Sequence, residues 1–174
     1  ILGKKGKETA SLKGRVGALV DAPAYNSHLS IRRNLIAQSI SLGKTDKKRI
    51  DNLLNALNLK KSIIGGGKIS SSPSGHKQGY AIVSAILGKP QLLLLDEAFS
   101  GLDSDTSERF IKLIKSEMAE REMTVLITGH NLAELYPTAA NYIFIKSGRI
   151  MLEASRDMLS ERLPAEPKNA DINN

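Results

Sequence analysis

Cysteine and tryptophan are absent from this 174-residue chain, and aromatic side chains make up only 4% of it. Without cysteine there is no disulfide and no thiolate metal site, which accords with a reducing compartment. So few aromatic rings leave little surface on which nucleic-acid bases could stack. No run of eighteen apolar residues occurs, so no helix is expected to be long and apolar enough to cross a bilayer. The basic opening residues lack the apolar segment of a signal peptide. An initiating methionine is missing as well. The chain opens Ile1-Leu2-Gly3, and a piece of a longer product or a processed chain is expected.

What is present supports a globular class. A hydrophobic content of 41% over this length allows one domain with a substantial core and is too little for two comfortable ones. Lysine and arginine total 25 against 18 acids, a net charge of +7. Such a surplus attracts polyanions or an anionic membrane face. Lysines spread over solvated helices give the same sum, and no nucleic-acid partner is expected.

The chain is organised around residues 91–103, Gln-Leu-Leu-Leu-Leu-Asp-Glu-Ala-Phe-Ser-Gly-Leu-Asp. Four leucines without polar alternation predict a strand buried on both faces, at the centre of a parallel sheet covered by helices. Asp96 and Glu97 then stand at its carboxyl end, where open α/β sheets place ligand crevices. Two acids there suit nucleotide hydrolysis, one holding hydrated magnesium and one acting on water. The plainer alternative is that they cap a following helix.

Around this stretch, residues 15–20 predict a short strand stopped by Asp21-Ala22-Pro23, and residues 29–35 open a helix capped by Ser30. Residues 45–57 predict a helix whose Ile50, Leu53, Leu54 and Leu57 share one face, started by Thr45 or Asp46. Residues 70–75 form a breaker-rich loop before a helix over 76–87. Beyond the acids come an amphipathic helix over 107–121, with Phe110, Ile111, Leu113, Ile114 and Met118 inward, a buried strand over 124–128, and a helix over 132–140. A hairpin over 142–153 turns at Ser147-Gly148. The alternation predicts an α/β layered fold with a largely parallel sheet, interrupted by a helical insertion between residues 21 and 91.

The marks also fall in a specific order. Asp21 follows one strand, Ser72-Pro73-Ser74-Gly75-His76-Lys77-Gln78 opens a helix, and residues 92–97 are the acidic strand. Ser100-Gly101-Leu102-Asp103 comes next, and Thr128-Gly129-His130 follows the last strand. Over residues 1–155 this resembles the nucleotide-binding domain of ATP-binding cassette (ABC) transporters, nearest to exporters of antimicrobial peptides and bacteriocins. The resemblance implies a P-loop NTPase-like core with a mostly parallel sheet. It implies a partial ABC ATPase domain over residues 1–158, with a helical subdomain at about 24–88, and a polar, disordered tail over 159–174.

Position by position, the resemblance makes residues 92–96 the Walker B strand, with Asp96 as the magnesium residue and Glu97 as the general base. Asp103 closes a D-loop facing a partner domain, and His130 is the switch histidine that reads the terminal phosphate. Ser72, Ser74 and Gly75 belong to the signature loop, which contacts ATP held by a second ATP-binding domain, the same or a different subunit. Asp21 stands where most relatives carry the Q-loop glutamine. Three plainer roles stay open: a turn cap for Asp21, a loop cap for His130, and a bland connector for the serine-rich stretch. ATP and Mg2+ are the implied cofactors, a transmembrane permease the implied partner, and the inner face of the cell membrane the implied location.

Two departures qualify the likeness. Pro73 stands where the signature usually has its phosphate-contacting serine, and proline offers neither hydroxyl nor N–H. No Gly-x-x-x-x-Gly-Lys-Ser/Thr occurs; Gly3-Lys4-Lys5-Gly6-Lys7 has the wrong spacing. In the family that phosphate loop lies upstream, so the sequence is expected to be an N-terminally truncated domain. The function expected of the intact domain is ATP hydrolysis powering export of a peptide, antibiotic or lipid-like substrate; the alternative is a catalytically silent fragment acting only as a folded partner or remnant.

Overall fold

The computed structural model describes residues 1–20, 24–43, 45–59 and 67–161. The chain divides after Thr128 into two compact units, residues 1–128 and 129–174, a division that the sequence reading of one domain over 1–158 does not draw.

The first unit is built on three short parallel strands, β1 (Val16–Leu19), β2 (Leu92–Leu95) and β3 (Thr124–Ile127), side by side in that order. Val16 pairs with Leu92, and Leu92 with Thr124. Parallel neighbours cannot be joined by a tight hairpin, so each connection crosses over through helices. The first crossover carries α1 (Ile31–Ser41), α2 (Lys47–Ala56) and α3 (Ser74–Ile86); the second carries α4 (Ser104–Glu120). Two starts follow the expected caps. Ser30 Oγ accepts the Arg33 N–H at 3.3 Å, and Asp46 Oδ1 accepts that of Arg49 at 2.9 Å.

Helix α3 lies directly on β1. A side-chain carbon at Gly17 would run into the Ala85 carbonyl oxygen, so only glycine permits this approach. The core gathers between the helices and one face of β2: Leu35, Ile50, Leu54, Leu57, Ile82 and Ile86 are fully buried, with Leu93 and Leu95 beneath them. Leu92 and Leu94 are only half-buried, so the leucine run is fully covered on one face and partly covered on the other. β3 departs further from expectation. Thr124 is exposed and Leu126 keeps 56% of its surface, because apolar composition marks a strand without specifying what covers it.

On α4 the buried positions are Phe110, Leu113, Ile114 and Glu117, whereas Met118, expected inside, is exposed. The helical repeat explains this, since 110, 113, 114 and 117 share a face and 118 falls off it. Glu117 is tolerated because Arg49 donates to both its oxygens, at 3.1 and 2.8 Å, and Arg121 pairs with it from the next turn. Burial pushes the Glu117 carboxyl up, but the two guanidiniums outweigh that and hold it below its ordinary value. Arg49 also donates to the Leu87 and Ile86 carbonyls at 3.2 and 3.1 Å. One ionic knot thus ties α2, the end of α3 and α4 together.

The second unit contains α5 (Leu132–Leu135), β4 (Asn141–Lys146), β5 (Arg149–Ser155) and α6 (Arg156–Ser160). β4 and β5 form the expected antiparallel hairpin. Ser147 and Gly148 make its turn with φ of 48° and 74°, left-handed at both central positions as a two-residue hairpin requires. The helix expected over 132–140 is a single turn, since Pro137 has no N–H to carry the ladder forward. Tyr142, Ala154 and Leu159 form a small core here, and the Tyr142 hydroxyl lies 2.9 Å from the carbonyl oxygens of Tyr136 and Ala139. Leu159, the first residue of the expected tail, is therefore packed; residues 162–174 lie outside the described residues.

Candidate functional site

The carboxylates leave the C-terminal end of the central strand. The Asp96 N–H donates to the Leu19 carbonyl at 2.7 Å, and the Thr128 N–H donates to that of Leu95 at 2.8 Å. The ladder thus runs one residue past β2 on both sides and sets Asp96 beside Thr128. The Thr128 hydroxyl donates to Asp96 Oδ1 and accepts the Glu97 N–H at 3.1 Å. Glu97 has φ of 47°, a left-handed conformation uncommon for a residue with a side chain, which turns the chain sharply as it leaves the sheet. Both acids are exposed at the sheet's carboxyl edge.

The capping alternative for these acids does not hold. The next helix begins only at Ser104, and its cap is Asp103, whose Oδ1 accepts the Thr106 N–H at 2.7 Å. That backbone hydrogen bond holds the Asp103 carboxyl below its ordinary value. Asp103, read as a D-loop residue, is thus engaged in its own helix start. The intervening turn is tied by the Ser100 N–H donating to the Glu97 carbonyl at 3.0 Å.

Helix α3 begins at Ser74, two residues earlier than expected, with Pro73 at the cap position and no side-chain hydrogen bond there. Ser74 is exposed, and the Ser72 hydroxyl donates to the Lys68 carbonyl at 3.4 Å. The first N–H groups of an α-helix have no partner within the helix itself, which makes a helix start a place suited to an anion. This start lies against the turn after the acids. A side-chain carbon at Gly75 would sit 3.4 Å from the Gly101 carbonyl oxygen, and Gln78 Nε2 donates to the Ala98 carbonyl at 3.0 Å.

The structure therefore brings Asp96 and Glu97 together, and places Gly75 near Gly101. His130 lies in the second unit, exposed, just ahead of α5. The cap of that turn is Asn131, whose Oδ1 accepts the Ala133 N–H at 3.0 Å, so the capping role considered for His130 belongs to its neighbour. Asp21 lies outside the described residues. Sequence reasoning gave no role to Thr128 or Gln78. The signal for Thr128 was available, since aligning the two strands in register sets it opposite Asp96.

Among the described residues no cluster of three or more His, Cys, Asp or Glu side chains could hold a metal ion. The donors at the edge are hard oxygens, two adjacent carboxylates and a hydroxyl. That set suits magnesium, which keeps several waters and binds through one or two carboxylates plus substrate phosphates, with no all-protein cage. No helix among the described residues is long and apolar enough to cross a membrane.

This is an α/β architecture with two carboxylates exposed at the carboxyl edge of its sheet, and the solved structures contain the same fold. One titled "Structure of ATP binding subunit of ABC transporter" superposes with a TM-score of 0.70 at 21% identity, covering 87% of this chain and 63% of that one. The family model described as "ABC transporter" matches residues 2–100, and the chain belongs to that family. Among curated relatives, an uncharacterized ABC transporter ATP-binding protein of Bacillus subtilis, YcbN, is 33% identical, over 90% of this chain and 51% of its own length. The bacitracin transport ATP-binding protein BcrA of Bacillus licheniformis is 30% identical, over 90% of this chain and 50% of its own. The lantibiotic transport ATP-binding protein SrtF of Streptococcus pyogenes is 30% identical, over 82% and 61%. The chain thus spans about half to three-fifths of the length of these relatives.

Proposed function

We propose that this chain supplies the hydrolytic part of an ATP-binding subunit of an ABC transporter, powering a separate membrane permease. In this reading the Asp96 carboxylate holds the metal through water, and Glu97 orients and polarises the water that attacks the terminal phosphate. His130 donates a hydrogen bond to that phosphate. Magnesium, when bound with nucleotide, supplies charge neutralisation on the β- and γ-phosphate oxygens. Ser72, Ser74 and Gly75, at the start of α3, face the ATP of a second ATP-binding domain, and Asp103 sits on the same interface. Asp21 approaches the metal or the water. The permease carries the subunit on the inner face of the cell membrane. Bacitracin and lantibiotic transport in the names of two relatives favours export of a peptide antibiotic or similar substrate.

The observation that carries this reading is the pair Asp96 and Glu97 at the mouth of the central strand, exposed and fixed by Thr128. Its test is Glu97→Gln in the protein expressed from its complete reading frame. ATP turnover should fall by about 10²–10⁴ with ATP affinity kept. Unchanged turnover contradicts the assignment.

A second reading, a catalytically silent folded partner, is favoured by Pro73 at the α3 cap, which offers the signature neither hydroxyl nor N–H. Calorimetric titration of the 174-residue chain with magnesium-ATP separates the two. Tight binding excludes the silent partner.

A further inference from the structure

Thr128 joins the backbone of one acid to the side chain of the other, and no other contact described at this edge does so. Its own amide is fixed to the Leu95 carbonyl at 2.8 Å, so the hydroxyl is presented from a paired backbone and not from a loose loop. From there it donates to Asp96 Oδ1 and accepts from the Glu97 amide at 3.1 Å. The Glu97 amide belongs to a residue at φ 47°. Such a conformation persists only where the surroundings hold it. A hydroxyl that donates to one carboxylate oxygen restricts the rotation of that group, and the other oxygen is left to face a ligand.

We infer that Thr128 is a positioning residue for ATP hydrolysis, its hydroxyl fixing at once the carboxylate plane of Asp96 and the backbone turn that aims Glu97. This rests on the hydrolytic reading above. Groups that orient a ligating or catalytic side chain, themselves touching no substrate, typically carry about 10–100-fold in activity or metal affinity. A threonine is suited to both tasks together. A hydroxyl can donate and accept at the same moment, whereas valine, of the same shape, can do neither.

The experiment compares Thr128→Val, Thr128→Ser and Glu97→Gln in the protein expressed from its complete reading frame. ATP turnover is read alongside amide hydrogen exchange of the apo protein. Thr128→Val should lower kcat by about 10–100-fold with KM for ATP nearly unchanged, and should speed exchange at the Glu97 amide while the Leu93 and Leu95 amides stay protected. Thr128→Ser keeps the hydroxyl and should restore both readouts to within about threefold of the parent. If valine disturbs β3, as loss of protection at Leu93 and Leu95 would reveal, the serine variant still decides, because serine behaving as badly as valine overturns the inference. Parent-like turnover and Glu97 protection in Thr128→Val also overturn it, and leave the hydrolytic reading standing if Glu97→Gln is dead. A fully active Glu97→Gln overturns both.

Discussion

Two clusters of charge in the first unit make opposite use of a carboxylate. Glu117 is buried on α4 between two guanidiniums, Arg121 at the end of the same helix and Arg49 on α2, and the Arg49 pair ties the two helices together. Asp96 stands exposed at the end of β2, and the partner described for it is a neutral hydroxyl. The first charge is spent on holding the fold; the second is oriented without being neutralised. A carboxylate paired with arginine has given up its electrostatic attraction, whereas one held by a hydroxyl keeps its charge for a cation or a water.

If that contrast is right, substitutions should separate into stability effects at one cluster and activity effects at the other. The largest stability change belongs to Glu117→Ala, which leaves the half-buried Arg49 and Arg121 without their anion. It should cost about 3–5 kcal/mol in urea unfolding, and a loss under about 1 kcal/mol would show that the Glu117 pairs do not hold the helices together. Acid should act on the same knot. The Glu117 carboxyl is depressed in the folded chain, so its contribution is complete above the ordinary carboxylate range. It should be lost as pH falls through the lower folded value. A stability profile measured for the parent and for Glu117→Ala should therefore converge at low pH; parallel curves would show that the knot does not titrate. The smallest stability effect belongs to Asp96→Asn, which keeps shape and exposure. Its thermal midpoint should stay within about 2 °C of the parent while ATP turnover collapses.

The fold was legible where one local cause decided it. Leu92 to Leu95 announced a central strand, Ser30 and Asp46 announced helix starts, and Ser147-Gly148 announced a hairpin. What stayed hidden depended on partners distant along the chain. Nothing near Glu117 shows that Arg49, 68 residues earlier, will neutralise it, so hydropathy chose Met118 for the core instead. Leu126 reads as core from composition, yet its exposure depends on what packs over β3. The short helix at Leu132–Leu135 was a different kind of miss, because Pro137 was there to be weighed and the apolar pattern outweighed it. At the site, the acids were found from the strand that delivers them. The role of Thr128 is legible once β2 and β3 are set in register, which places it opposite Asp96, one residue beyond the Leu95–Ile127 pair.

In the proposed function Asp96 and Glu97 together form the hydrolytic edge of an ABC transporter ATPase. A crystal structure of the protein from its complete reading frame, with magnesium and a non-hydrolysable ATP analogue, tests this most directly. The metal should be linked to the Asp96 carboxylate through water, with a Glu97 oxygen within about 3 Å of a water in line with the terminal phosphate. A metal and phosphate lying away from the carboxyl end of β2, with Asp96 facing only solvent, would contradict it.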